Sequence, residues 1–336
     1  MNNHTETIIK TENLTKRFRK LTAVDNLNLE IKKGEIFGLV GPDGAGKTTT
    51  LRMLAAIMDP NQGNATIAGY KLRQQPEPIK NHIGYMAQQF ALYGDLTVQE
   101  NLNFFADVYG VRGQLRKERL TQLLEFARLT EFTNRRAGQL SGGMKKKLGL
   151  ACALIHSPDI LYLDEPTTGV DPVSRREFWD ILAGLHVEQT TILVSTPYMD
   201  EAERCSRVGL MYKGRLVECD TPAHIKGLIP GQLLEFRPES EVLQGVGLLR
   251  KARRVLADHP GVLEVQTYGD LMHVFVDNIE QRQPELQTTL TAQQISMTNP
   301  RQTMPRMEEA FISLISRMEE EKDKQASARR DDREVK

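Results

Sequence analysis

Cysteine is scarce in this chain: three in 336 residues, Cys152, Cys205 and Cys219, at wide and unpatterned spacing. That spacing excludes a disulfide framework and a paired-cysteine zinc site, and predicts three reduced thiols. Long apolar runs are missing as well. No stretch approaches the roughly 20 apolar residues that span a bilayer. The opening MNNHTETIIKTENLTKRFRK lacks the apolar core of a secretory signal, so a cytosolic protein is expected. Neither sign of charge is in excess. Lys+Arg and Asp+Glu both number 44, and the tail from Gly231 carries 15 basic against 18 acidic residues. A nucleic-acid binder shows a basic footprint, so no nucleic-acid partner is expected.

What is present is enough apolar matter, 40% of the residues, for a substantial core and two domains. Residues 7–40 carry short β-type runs that end in GEIFGLV (34–40). A glycine-rich turn and a helix from Lys47 to Met58 follow. LTVQENLNFFADVYG (96–110) opens a helix with a capping box, Thr97 with Glu100 three residues on. DILYLDEP (159–166) and TTILVST (190–196) read as buried parallel strands. Between them, DPVSRREFWDIL (171–182) starts a helix with Asp171 as N-cap and Pro172 in its first turn. Strands alternating with helices imply an α/β fold with a largely parallel sheet covered on both faces. Near KGLIPGQ (226–232) the texture changes. Beyond it come a strand at 233–238, a helix around 245–258, and strands at 262–268 and 271–277 joined by a Gly269-Asp270 turn. MPRMEEAFISLISRM (304–318) shows helical spacing, with Met307, Phe311, Leu314 and Ile315 on one face. The expected domains are 7–228, with a helical part over about 95–160, a small α+β accessory domain at 229–318, and a charged tail at 319–336.

Three stretches carry chemistry. GPDGAGKTT (41–49) follows a strand, opens a helix and fits G-x-x-x-x-G-K-[ST]. Its residues Gly41, Pro42, Asp43, Gly44, Ala45, Gly46, Lys47, Thr48 and Thr49 form a phosphate cradle: glycines let backbone N–H groups converge on phosphate oxygens, and the helix N-terminus favours an anion. Lys47 would bind the β- and γ-phosphates, and the Thr48 hydroxyl would ligate Mg²⁺. In ILYLDEP (160–166), Asp164 suits a hydrated Mg²⁺ and Glu165 is placed to orient water for attack on the γ-phosphate. Two acids at a strand end also serve as helix caps; a phosphate loop upstream favours the catalytic reading. In LSGGMKKKLGLA (140–151), Ser141 caps a helix that begins with glycines.

Taken in order, GPDGAGKTT, LSGGM, LYLDEP and GVDP resemble an ABC-type ATPase over roughly residues 7–225. The chain is similar to the ATP-binding subunits of bacterial ABC-2 exporters of the drug-resistance type, and within them to the YbhF group; the part beyond 229 resembles their C-terminal extension. The resemblance implies a P-loop NTPase fold of the ABC ATPase type, with a helical signature subdomain and a small C-terminal α+β accessory domain. It also implies ATP and Mg²⁺ as ligands, ATP hydrolysis coupled to export, integral membrane permease subunits as partners, and a place on the cytoplasmic face of the inner membrane. Phe18 would stack on adenine, a core or edge phenylalanine being the alternative. Gln88 would sense Mg²⁺ and the γ-phosphate, and the segment with Phe90 and Tyr93 would face the permease or simply pack locally. Ser141, Gly142 and Gly143 would contact ATP held by a second ATP-binding subunit, and Asp171 would link the two sites.

The departures are specific. Asp43 stands where asparagine is commoner, and Met144 replaces the frequent glutamine of the signature. Lys145, Lys146 and Lys147 read most simply as a solvated helical segment. Pro197, in ILVSTPYMDEAERC (192–205), stands where the family carries a histidine that bonds the γ-phosphate. Proline has no side-chain donor and no backbone N–H, but its φ suits a first helical turn, with Thr196 as cap. The expectation is a fold preserved at this corner, slow hydrolysis, and a degenerate site in an asymmetric pair. A regulatory or assembly module that barely turns over is the alternative.

Overall fold

The computed structural model describes residues 6–89 and 92–319. The chain divides between Thr221 and Pro222 into two compact units. Phe90 and all of the charged tail except Glu319 lie outside the described residues.

The first unit begins with β1 (Thr7–Phe18), β2 (Leu21–Lys32), β3 (Ile36–Val40) and α1 (Lys47–Leu54). It continues through β4 (Gln62–Ile67), β5 (Tyr70–Lys71), α2 (Pro76–His82) and β6 (Ile83–Met86). Three helices follow, α3 (Val98–Val108), α4 (Gly113–Phe126) and α5 (Gly142–Leu154). Then come β7 (Ile160–Asp164), α6 (Pro172–Val187), β8 (Thr191–Thr196), α7 (Met199–Ala202), β9 (Arg207–Tyr212) and β10 (Arg215–Asp220).

The runs expected over 7–40 are two long strands and a short one. In β2, Val24, Leu27, Leu29 and Ile31 are buried while their neighbours face outward, the pattern of a sheet wetted on one side. It joins an antiparallel sheet of order β2-β1-β4-β5. The second sheet has the order β10-β9-β3-β8-β7-β6, parallel from β9 to β6 with β10 antiparallel at its edge. All residues of β3 and β7 are buried, as continuous apolar runs in a sheet covered on both faces should be. Register aligns the strand ends. Val40 pairs with Thr196, and Asp164 with Ser195, so the carboxyl ends of β3, β7 and β8 are level. The loops that leave these strands open on one edge, where ligands of parallel sheets bind.

Two local expectations need correction. Helix α1 ends at Leu54 rather than Met58, because Ala56 takes a left-handed φ of 54° that breaks the helix. Pro197 does not start a helix: α7 begins at Met199 with no side-chain cap, and Thr196 still belongs to β8. The capping box at Thr97 and Glu100 is present as expected. Helices α3, α4 and α5 share a small core of Val98, Leu102, Leu124, Leu148 and Cys152. Burial pushes the Cys152 thiol well above the ordinary range, so it is an inert packing group.

The second unit runs α8 (Pro222–Gly227), β11 (Gln232–Glu239), α9 (Gly245–Ala257), β12 (Val262–Tyr268), β13 (Leu271–Val276), α10 (Ile279–Thr291) and β14 (Ser296–Thr303). Residues 307–319 form a further helix. The sheet is antiparallel in the order β12-β13-β11-β14. The Gly269-Asp270 turn joins β12 to β13, with Gly269 at a φ of 61°. On the last helix Met307 is buried as expected, but Glu309, Ala310 and Ser313 are buried more deeply than Phe311, Leu314 and Ile315. Glu309 is there for polar reasons. His273 on β13 bonds Glu309 through Nδ1 at 2.9 Å and Glu235 on β11 through Nε2 at 3.0 Å. The Arg301 side chain closes on Glu235 from β14 at 2.6 Å. Among the described residues no helix is long and apolar enough to cross a membrane.

Candidate functional site

The turn after β3 is built by its backbone. Gly46, the cap of α1, has a φ of 105° and offers no side-chain cap to the first amides of the helix. A Cβ there would lie under 3.0 Å from the Ala23 carbonyl oxygen of β2. Only glycine fits both demands. The amides of the first turn of α1 therefore point, without a side-chain partner at the cap, at the carboxyl edge of the sheet.

Lys47 is 3% exposed and folds back over the turn. Its Nζ donates to the Gly41 and Pro42 carbonyls at 2.8 and 3.1 Å and lies 3.3 Å from Glu165 Oε1. Thr48 Oγ1 donates to Asp164 Oδ1 at 2.9 Å. Ser195, on the neighbouring strand, donates to the same oxygen at 2.7 Å. Tyr85 on β6 faces Asp164 Oδ2 at 3.5 Å; burial, then the Asp164 charge, pushes its phenol pKa upward. Glu165 takes a left-handed φ of 47°, an uncommon state for a long side chain and a frequent one at working sites. Its backbone N–H donates to Ser195 Oγ and to the Ser195 carbonyl, both at 3.1 Å. Held so, its carboxylate reaches back to Lys47 and accepts from Gln88 Nε2 at 2.8 Å and from Thr168 Oγ1 at 3.4 Å.

Lys47, Thr48, Gln88, Asp164 and Glu165 are thus brought into one hydrogen-bonded cluster from separate segments of chain. A hydroxyl and a carboxylate 2.9 Å apart are oxygen donors suited to a hydrated Mg²⁺. The ammonium and the first-turn amides suit an oxyanion beside it. A water between Glu165 and that anion would have an acceptor on one side.

The other expected residues lie elsewhere. Phe18 ends β1, pairs with Leu21 and is 43% exposed, with the Lys16 ammonium 5.3 Å from its ring centre. Ser141 caps α5 by accepting from the Met144 N–H at 3.3 Å. Among the described residues no hydrogen bond links Ser141, Gly142 or Gly143 to residues 41–49. Asp171 caps α6 through the Ser174 and Val173 amides, and these bonds, that of Ser174 foremost, hold its carboxyl below the usual range. Pro197 follows Thr196, whose carbonyl accepts from the Gly41 N–H at 3.3 Å, so it sits beside the start of the phosphate turn. Tyr93 packs edge-on against Phe104, their centres 4.6 Å apart.

The three lysines are not a solvated run. Lys145 is exposed; Lys146 donates to the Gln88 carbonyl at 2.8 Å; Lys147 is buried and paired with Glu177. Glu201 is missed from sequence altogether. It is 1% exposed and accepts from Thr167 Oγ1 at 2.7 Å and Thr196 Oγ1 at 2.6 Å, tying the loop after β7 to the end of β8. Its only signal is the acidic cluster after Pro197, which does not say which carboxylate turns inward. A cavity of about 360 Å³ borders the cluster at Gln88, Gly142, Lys146 and Thr168. A larger one, about 680 Å³, opens at the opposite ends of the strands by Lys33, Asp159 and Thr190 and touches none of the clustered residues.

Comparison with known proteins bears on this geometry. A family profile described as ABC transporter matches residues 24–168. The probable multidrug ABC transporter ATP-binding protein YbhF of Escherichia coli K12 is 46% identical over 221 residues, which are 66% of this chain and 38% of that protein. The chain thus spans about two fifths of that relative's length. The linearmycin resistance ATP-binding protein LnrL of Bacillus subtilis is 31% identical over 311 residues, 92% of this chain and 99% of that one. A dimeric ATP-binding cassette, solved in a post-hydrolysis state with ADP and Pi, superposes with a TM-score of 0.58 at 28% identity, over 63% of this chain and 98% of its own.

Proposed function

The chain belongs to the family of ABC transporter ATP-binding proteins, and from that premise we propose that it binds and hydrolyses MgATP for an export complex. The observation that carries the reading is the convergence of Lys47, Thr48, Gln88, Asp164 and Glu165 at the carboxyl edge of the parallel sheet. Bound Mg²⁺ would neutralise charge developing on the phosphates. Thr48 and Asp164 would hold the ion, and Gln88 would serve as a further oxygen ligand. Lys47 exchanges its carbonyl partners at Gly41 and Pro42 for phosphate oxygens. Glu165 orients the attacking water, and Gln88, through its bond to Glu165, fixes where that carboxylate points. Phe18, exposed at the end of β1, offers a ring for adenine.

Ser141, Gly142 and Gly143 serve a nucleotide held by a second ATP-binding subunit, in keeping with their separation from this chain's own phosphate turn. The dimeric state of the related cassette supports the same arrangement. Permease subunits carry the substrate and hold the protein at the cytoplasmic face of the inner membrane. The names of the relatives, a multidrug and a linearmycin resistance protein, support export as the direction. Calorimetry tests the binding step. Wild type is expected to bind MgATP, with Lys47→Ala and Asp164→Asn at least tenfold weaker; equal binding by Lys47→Ala would remove the phosphate turn from the account.

One observation favours a second reading, a site that turns over slowly. Residue 197 borders the phosphate turn and, as proline, has nothing to donate. The hydroxyls that precede it on β8 are committed, Ser195 to Asp164 and Thr196 to Glu201. Such a chain would work best beside a partner whose own site is complete, with LSGGM supplied in trans.

A further inference from the structure

Helix α5 sends three successive lysines in three directions, as its turn of about 100° per residue requires. Lys147 runs to Glu177 on α6 and Lys145 to solvent. Lys146 crosses to the segment after β6 and donates to the Gln88 carbonyl at 2.8 Å, a bond between residues 58 apart in sequence. Gln88 in turn donates to Glu165, and Glu165 faces Lys47. An unbroken chain of polar contacts therefore runs from the signature helix to the phosphate turn, and Lys146 is the link that α5 supplies. The ammonium is half-buried. Burial pulls its pKa down, while the charges of Asp164 and Glu165 favour the ion. A lysine used only for solubility would not be placed there.

We propose that Lys146 is a positioning residue: it anchors the backbone at Gln88, so that the Gln88 amide can hold Glu165, and the setting of α5 thereby reaches the carboxylate. The proposal rests on Glu165 being the carboxylate that orients the attacking water. Lys146 acts through Gln88, whose carbonyl accepts from its ammonium.

The test uses the 336-residue chain and two variants. Lys146→Met keeps the length of the stem and loses the donors; Lys146→Arg restores a donor. Amide exchange across residues 83–89, followed without nucleotide, reads the anchor. The single-turnover rate and the ATP affinity read its consequence. Lys146→Met is expected to exchange about tenfold faster in this segment alone, and to hydrolyse about tenfold more slowly with ATP affinity within about threefold of wild type. Lys146→Arg should recover most of both. Wild-type exchange and turnover in Lys146→Met would overturn the proposal, as would a loss of affinity that matches the loss of rate. Because exchange is read without ATP, a chain that fails to bind nucleotide overturns the reading of the site while the anchor is still decided by exchange.

Discussion

Gly46→Ala separates backbone strain from collision. The residue sits at a φ of 105°, and a left-handed backbone costs an L-residue about 1–2 kcal/mol. Its new Cβ would also come under 3.0 Å from the Ala23 carbonyl, with Met211 Cε at 3.2 Å and Val24 Cγ2 at 3.4 Å. Val24 is fully buried and Ala23 belongs to the same paired strand, so that carbonyl cannot swing aside. Overpacking of this kind adds about 1–3 kcal/mol, for a total of about 2–5 kcal/mol. Gly44 provides the control. It also has a left-handed φ, 78°, but nothing lies within 4 Å of its Cβ position, so Gly44→Ala carries only the backbone cost. For a unit of this size each kcal/mol lowers Tm by about 2–4 °C. Gly46→Ala should therefore melt at least about 2 °C below Gly44→Ala in a thermal scan, and bind MgATP more weakly in calorimetry. If Gly46→Ala melts with Gly44→Ala, the close approach of β2 to the phosphate turn is not what requires glycine.

Glu201→Ala would leave the buried hydroxyls of Thr167 and Thr196 without their acceptor, at about 1–3 kcal/mol each; a loss of stability under about 1 kcal/mol in urea would show that both find other partners. His273→Leu would face Glu235 and Glu309 with no bridging imidazole, at about 3–5 kcal/mol, read as an early transition of the second unit in urea. The same pair predicts acid sensitivity. Burial works against the charged form of both carboxyls, but the Arg301 and His273 contacts at Glu235, and the His273 and Arg306 amide contacts at Glu309, outweigh it and hold both below the ordinary range. Their stabilisation is therefore full above the ordinary glutamate pKa of about 4.3 and is lost as pH falls through the lowered values. Melting of wild type should fall below that pH more steeply than melting of His273→Leu.

What could be read from sequence was what is local. GPDGAGKTT, the acids at the end of β7, the cap at Asp171 and the Thr97–Glu100 box each depend on neighbours in the chain, and each stands where it was expected. The parallel core was legible because β3 and β7 are apolar throughout most of their length. What failed depends on distant partners. Lys145, Lys146 and Lys147 look alike in sequence; only Gln88 and Glu177 tell them apart. Helix α10 was hidden by Pro284 within it, and β14 by its polar residues and Pro300, which an edge strand tolerates. Pro197 resembled a helix start, but Thr196 spends its hydroxyl on Glu201 and on the Tyr198 N–H, and the helix waits until Met199.

The most direct test is single-turnover ATP hydrolysis by the 336-residue chain, with Glu165→Gln and Pro197→His measured beside wild type. Slow hydrolysis by wild type and a faster rate in Pro197→His are expected. Glu165→Gln should lower the rate about 10²–10⁴-fold while MgATP still binds. Hydrolysis by Glu165→Gln at the wild-type rate would contradict the role given to the carboxylate at the end of β7. Fast wild-type turnover that Pro197→His leaves unchanged would contradict the slow site.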